Sequence, residues 1–499
     1  MRKLFLVLGL ATLTFSLGCG SSSSGPTPQG NFSNASFSGP YAYQLSGFDL
    51  NTGNPYSRAG VLTADGNGGI TAGTDDLTEG SLVSSGIVSG TYSVSNDGTG
   101  TIALTLGSGS TVQWAITIQS SSKVYIVETS TTPSGTLTPF TGYGVAELQN
   151  SAAFVAPTGT FAFKCHAEAI GGTSISPNSA VGAIALSGGV GTGAEDVNIL
   201  GSGLVPNATV TNAVFNPPDS FGRGTASITE SVFGTTTFVY YVVDANNLRT
   251  LISSPGTIGL GRYELQSGTF SNATFAGNYA FGSRGDTANN LLGAHTVGVF
   301  SADGAGNISS FNFDAMRDGT LTSNGNFSGN TYAVASNGRV AVALNSGAAT
   351  QVYWLVNNTR AFFLASDPTS AVDGTADLQN GSGFSNSSVN GQFAFLNDGV
   401  QLGGNPLGIV NFYDRVATLQ FNGSGGLTFN EFINVSGNAS TPGFLSGSYS
   451  TSSNGRMTGK INGSGNNVNL VFYLVSGQQA YMLQTDADFE VDGMMQLQQ

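Results

Sequence analysis

Gly39-Pro40-Tyr41-Ala42-Tyr43, Gly159-Thr160-Phe161-Ala162-Phe163, Gly277-Asn278-Tyr279-Ala280-Phe281 and Gly391-Gln392-Phe393-Ala394-Phe395 are four versions of one phrase: glycine, one residue, then aromatic-alanine-aromatic. The four glycines lie 120, 118 and 114 residues apart. Each copy closes on a shared Leu-Gln, in Glu147-Leu148-Gln149, Glu264-Leu265-Gln266, Asp377-Leu378-Gln379 and Gln496-Leu497-Gln498. A period of roughly 118 residues is the length of a whole domain, well beyond the roughly 20–50 residues of solenoid or propeller units. The chain is therefore expected to hold four tandem domains, at 31–150, 151–267, 268–380 and 381–499, each folding on its own.

Within the first copy, short runs alternate apolar and polar residues between Gly, Asn and Asp, and no stretch sustains a helical period. The pattern predicts strands near 40–48, 57–64, 69–75, 89–95, 100–106, 111–118, 123–129 and 142–149. Turns such as Asp65-Gly66 and Asp97-Gly98 suit tight hairpins, because these residues reach positive φ cheaply. Equivalent turns recur as Asp303-Gly304 and Asn422-Gly423, and as Asn337-Gly338 and Asn454-Gly455. Successive hairpins make an antiparallel meander, so the fold class is all-β.

In each opening strand the aromatic pair sits at i and i+2, on one face, with the repeated alanine on the other. Tyr41, Tyr43, Phe161, Phe163, Tyr279, Phe281, Phe393 and Phe395 are accordingly assigned to structural core. A later strand supplies Trp114, Tyr241, Trp354 and Tyr473 to the same interiors. The last three of these lie 25 residues before the closing Gln and the first lies 35 before it, which implies about ten extra residues in a loop around Thr131 to Pro139. Eight such strands can close into an up-and-down barrel, with a two-sheet β-sandwich as the alternative. The pattern resembles the lipocalin and avidin group of barrels, where a Gly-x-aromatic opening strand leads an eight-stranded meander. Here Tyr or Phe stands where that group has Trp, no helix pattern follows the last strand, and none of that group's ligand-contacting residues maps onto this chain. The resemblance implies, as a second functional reading, a carrier of small apolar or aromatic ligands inside each barrel.

The first residues give a cellular address. Arg2 and Lys3 precede an apolar run from Leu4 to Phe15, the length of a signal-peptide core and too short for a membrane span. Ser16-Leu17-Gly18-Cys19 resembles the bacterial lipoprotein cleavage box, with Ser16 where that family usually has Leu. The resemblance implies a signal peptide over 1–18 and lipidation of Cys19. Residues 19–30, rich in Gly, Ser and Pro, read as a flexible tether. By the same resemblance, Gly20 rather than Asp after the Cys implies the outer membrane, at its periplasmic or cell-surface face. In overall character the chain resembles the repeat-containing, Gly/Ser-rich exported lipoproteins of environmental bacteria.

Composition agrees with an extracytoplasmic β-protein: 72 glycines, 39% apolar residues and only 9% charged ones. Removing residues 1–18 takes away Arg2 and Lys3 and no acid, leaving 13 basic against 29 acidic groups. Such a surface repels nucleic acid and anionic lipid, so no nucleic-acid partner is expected and membrane contact falls to the lipid anchor. With Cys19 lipidated, Cys165 has no partner for a disulfide within the chain and reads as a half-buried strand residue.

Residues that carry chemistry are sparse. His166 and His295, the only histidines, occupy non-equivalent places in different copies, so neither a metal centre nor a cofactor is expected. Asp65-Gly66-Asn67-Gly68 and Asp303-Gly304-Ala305-Gly306 lack the later ligands of a calcium loop and read as hairpin turns. Each copy places an acid after its second turn (Asp75 or Asp76, Glu195 or Asp196, Asp314, Glu431). Paired with Glu147, Glu264 and Asp377, these acids have the makings of glycosidase carboxylates. Degeneracy across copies, with Gln496 replacing the acid in the last, favours structural positions. Arg223, Arg339 and Arg456 follow equivalent turn glycines, with Thr99 in the first copy, and read as cross-strand partners. Sequons such as Asn272-Ala273-Thr274 read as turns, and no nucleophile elbow is present. The expected function is a non-enzymatic, membrane-anchored protein displaying four β-domains for interaction, adhesion or envelope structure, with an envelope or extracellular protein or glycan as partner.

Overall fold

A computed structural model describes residues 30–50, 52–129, 140–171, 174–288, 293–402, 410–462 and 467–499. The leader, Cys19, most of the tether and the loop around Thr131 to Pro139 lie outside the described residues. Apart from single-turn 3-10 helices, the described regular structure is antiparallel strand. Strand sets run over Ser38–Leu148, Gly159–Leu265, Ala276–Leu378 and Asn390–Leu497.

In the first, second and fourth units, eight strands pair in chain order and the opening strand also pairs with the last, closing a barrel rather than a sandwich. Tyr41 thus faces Leu62 on one side and Leu148 on the other. The third unit has nine strands, because its fourth stave is broken into Thr320–Phe327 and Asn330–Val334; pairing of Ala294–Asp303 with Asn307–Arg317 completes its ring. In the first unit the fourth strand runs over Leu82–Val94, starting earlier than the sequence implies. Near its start Ser84 donates to Asp76.

A 3-10 turn precedes each opening strand, and in three units it is the sequon, at Asn34–Ser36, Asn272–Thr274 and Asn386–Ser388. The Asn side chain accepts from the end of the fourth stave: Val94 N at 2.9 Å, Val334 N at 2.8 Å and Thr451 N at 2.8 Å. Phe37, Phe275 and Val389 follow, fully buried, and plug that end of the barrel.

The interiors are filled. Tyr41, Tyr43 and Trp114 share one core cluster, Phe161 and Phe163 a second, Tyr279 and Phe281 a third, and Phe393 and Phe395 a fourth. The guanidinium groups inside lie beside acids: Arg58 is 3.7 Å from Glu128 and 3.8 Å from Asp75, and Arg415 is 2.6 Å from Glu431. Tyr241, Trp354 and Tyr473 are buried elsewhere. They project from the outer face of their barrels into clusters shared with the preceding unit, so Trp354 does not converge with Tyr279 and Phe281 inside the third. Strand register gives the reason. Tyr241, Trp354 and Tyr473 stand opposite Arg223, Arg339 and Arg456, whereas Thr99 stands opposite Thr117. Thr117 is therefore their first-unit equivalent, and Trp114, three residues earlier, points inward.

These outer clusters join the units into a closed ring instead of leaving them as beads on linkers. The repeated alanine of each opening phrase lies in one: Ala42 with Tyr241, Ala162 with Trp354, Ala280 with Tyr473 and Ala394 with Tyr125. A small side chain there lets the neighbouring barrel approach. Head-to-tail contacts of one kind generate a ring when the rotation between units closes, and four units close this one.

Candidate functional site

Alternation along each second hairpin sorts the adjacent acids. Asp75, Glu195 and Glu431 face their own barrel, while Asp76, Asp196 and Asp314 face the next unit, fully buried. Arg223 donates to Asp76 from Nε at 2.7 Å and Nη2 at 3.0 Å, and Tyr241 donates its hydroxyl to the same carboxylate. Arg339 Nη2 and Trp354 Nε1 reach Asp196 at 2.6 and 2.8 Å. Arg456 Nε and the Tyr473 hydroxyl reach Asp314 at 2.7 Å each. The turn arginines thus pair across units rather than across strands of one barrel. At the closing junction Phe432 takes the acid's place in register, and Asn430 donates to Asp97 at 2.7 Å.

The closing motif is also an interface. Gln149, Gln266, Gln379 and Gln498 donate to the carbonyls of Val242, Leu355, Leu474 and Ile118 in the next unit at 2.6–2.7 Å. Each amide lies against the following unit's turn glycine. At Gly338, whose φ is +90°, a Cβ would come within 2.8 Å of Gln266 Nε2, so the Asn-Gly turn is dictated by its neighbour as well as by its own φ. Glu147 takes Arg249, Glu264 takes Arg360 at 2.8 Å, Asp377 takes the Tyr481 hydroxyl at 2.6 Å, and Gln496 takes Lys123 at 2.9 Å. Glu147, Glu264 and Asp377, with Gln496 in the last copy, are therefore joints of the ring.

Burial works against the Glu147 and Glu264 carboxylates, but Arg249 and Arg262 beside the first, and Arg262 and Arg360 beside the second, hold each down to about 2. A folded-state value below the ordinary one contributes stability that is present above about pH 4.5 and lost as pH falls toward 2. The melting temperature should fall between pH 5 and pH 2.5, and Glu147→Gln should flatten that fall. A Glu147→Gln profile parallel to that of the unaltered chain would reject the assignment.

Where the four units meet there is a cavity of about 450 Å³ lined by all of them. The outward faces of the opening strands build its wall: Gln44, Ser46 and Phe48 from the first unit, Lys164, His166 and Glu168 from the second, Arg284 and Asp286 from the third, Leu396, Asp398 and Val400 from the fourth. Ser46, His166, Arg284 and Asp398 occupy equivalent positions, three residues past the second aromatic. Both histidines face this space, although they are non-equivalent in sequence, because ring closure brings different strands of the second and third units to one axis. The expectation of no metal centre rested on two histidines at non-equivalent places in different copies; the ring brings both to one cavity, and His166 there meets carboxylates of two units.

Charges in the cavity are networked. Arg284 donates to Asp398 and, at 3.0 Å, to Asp492, and lies over the Tyr143 ring with 4.5 Å to its centroid. His295 Nδ1 lies 2.6 Å from Asp492. Burial alone would raise Asp492, but Arg284 and His295 bring it below its usual range, whereas burial keeps Asp398 well above. Burial also pushes Asp414 up to about 7, against the hydrogen bond from Thr141. Burial disfavours the His166 imidazolium, but hydrogen bonds to Asp286 and Asp373 outweigh it and carry the imidazole up to about 10. Glu168 is pushed up to about 8 by burial and by Asp286, with His166 opposing. Among the described residues, His166, Glu168 and Asp286 are the group of side chains placed to share a metal ion. The calcium-like turns are differently used: Asp65 Oδ1 accepts from its own loop amides at Asn67 and Gly69, and Asp303 Oδ1 from Ala305 and Asn307. Cys165 lies half-buried at the edge of the second core, and burial lifts its thiol to about 12.

No protein-family model matches the chain, and no curated protein matches it. Among solved structures it is similar to two mutants of the vaccine antigen transferrin-binding protein B (TbpB) from Haemophilus parasuis Hp5. Identities are 9% and 11%, the TM-score is 0.21 for both, and the alignments cover 75% and 77% of this chain and 82% of each of those. It is also similar to CghA, at 10% identity and a TM-score of 0.16 over 95% of both chains. Superpositions this loose carry no argument about function.

Proposed function

We propose that the chain is a non-enzymatic exported lipoprotein, anchored through Cys19 at the outer membrane, that presents a rigid ring of four β-barrels for interaction, adhesion or envelope structure. The observation that carries this reading is the filling of the barrels. A carrier needs a hollow interior for its ligand, whereas here Trp114, Tyr41, Tyr43, Tyr240, Tyr263 and Tyr279 occupy barrel interiors as fully buried side chains. Filled barrels joined by buried ion pairs suit a scaffold that holds surfaces in fixed geometry. Support for display comes from the fourth stave of each unit, which keeps a bulky apolar residue in solvent: Val83, Val205, Leu321 and Phe444, the last 62% exposed. Four modest contacts on one rigid body add as avidity. The anchor rests on the sequence of residues 1–30.

Cells labelled with a palmitate analogue should incorporate label into the chain, and Cys19→Ser should lose the label and leave the membrane fraction. Protease added to intact cells then tells the cell-surface face from the periplasmic one. Full membrane retention of Cys19→Ser would reject the anchor.

A further inference from the structure

We infer that His166, Glu168 and Asp286 form a binding site for a divalent first-row transition-metal ion, of which Zn²⁺ is the type, across the junction of the second and third barrels and open to the central cavity. This inference is independent of the membrane anchor. His166 and Glu168 are i and i+2 on the strand Gly159–Gly171, hence on one face, and Asp286 comes from the opening strand Ala276–Thr287 of the next unit. One ligand atom from each lies within 4.8 Å of the other two. The imidazole Nε2 already stands 2.8 Å from Asp286 Oδ2.

The shell behind the imidazole is what a ligating histidine requires. Its Nδ1 lies 3.0 Å from Ser179 Oγ and 3.3 Å from Asp373 Oδ1. Asp373 is buried, with its other oxygen 2.6 Å from Lys164 Nζ. A carboxylate so fixed accepts from Nδ1 and orients the ring so that Nε2 faces Asp286 and Glu168, where a metal ion would replace the Nε2 proton; carboxylate–histidine–metal arrangements are built this way. Lys164 is committed to Asp373, and the Glu168 carboxyl faces His166 and Asp286.

The donor set selects the ion class. One nitrogen and two carboxylates suit borderline divalent ions, whereas Ca²⁺ takes six to eight oxygens and Mg²⁺ a near-octahedral oxygen shell. Three protein ligands facing a cavity leave a coordination position for water or a small anion. Because the ligands belong to two units, the ion would also clamp them together and stabilise the folded ring by mass action.

The test uses the full chain, stripped with chelator and titrated with Zn²⁺ by calorimetry and with Co²⁺ by visible absorption. One equivalent per chain is expected, with d–d bands from Co²⁺ and a melting temperature that rises with free Zn²⁺. His166→Ala and Glu168→Gln should each weaken Zn²⁺ binding by about 10–100-fold or more. Glu168→Gln leaves the His166–Asp286 and His166–Asp373 contacts in place, so it reports on metal binding even if His166→Ala unfolds. Absence of saturable Zn²⁺ binding, affinity unchanged in Glu168→Gln, or tighter binding of Ca²⁺ than of Zn²⁺ would each overturn the assignment.

Discussion

Replacing Asp196 by alanine is expected to destabilise the ring by about 3–5 kcal/mol, the range for removing one partner of a buried ion pair. Asp196 is fully buried and accepts from Arg339 Nε, Arg339 Nη2 and Trp354 Nε1. Without it, a largely buried guanidinium and a fully buried indole N–H lose their partner and stay desolvated. The loss belongs to the junction, so amide exchange should rise first on Arg339–Leu344 and Ala349–Asn357, the strands that carry Arg339 and Trp354. Pairing the change with Arg339→Met should recover part of the loss, because the orphaned charge goes with it. A loss below about 1 kcal/mol, or equal losses in the single and double variants, would show that the pair does not hold the ring.

That joint explains which parts of the molecule were legible. Tyr279-Ala280-Phe281 is a local pattern: period-two alternation and turn glycines specify strand, face and barrel, and those readings hold in three closed barrels and one ring of nine strands. Arg339 and Asp196 are 143 residues apart, and nothing local distinguishes a residue facing its neighbour from one facing solvent. The available signal was recurrence of polar identity. Arg223, Arg339 and Arg456 recur with Asp76, Asp196 and Asp314, and the Arg is missing in the first copy, where Thr99 donates to Asp97 of its own turn. A charged pair that recurs at three junctions and loses both members at the fourth, Thr99 for the Arg and Phe432 for the acid, is what a head-to-tail array leaves in a sequence. The metal-ligand cluster left no such trace. Glu168 and Asp286 stand at the same place in their copies, five residues past the second aromatic, but His166 answers to Ser46, Arg284 and Asp398 in the others, and the three side chains meet only because the ring closes.

Phe281→Ala is expected to cost about 3–5 kcal/mol by a different route, the loss of transfer energy plus a residual cavity. Phe281 is 1% exposed and packs with Phe311 at 5.2 Å between ring centroids and with Phe363 at 5.8 Å, edge-on at 85°. The facing residue on the neighbouring strand is Gly298, where a Cβ would fall within 2.6 Å of the Phe281 ring, so the barrel has given up a side chain to make room for it. Collapse into the vacated space is limited because the surrounding rings are held by closed strand pairing on both sides. The defect should raise amide exchange on Ala276–Thr287 and Ala294–Asp303 while leaving the Asp196 junction protected. Trp354→Phe should behave the opposite way, since it keeps an apolar ring in the outer cluster but removes the donor to Asp196. Were the opening aromatics instead an exposed platform for sugars or apolar ligands, Phe281→Ala would leave the melting temperature nearly unchanged, and a loss below about 1 kcal/mol in the full chain would reject the core assignment.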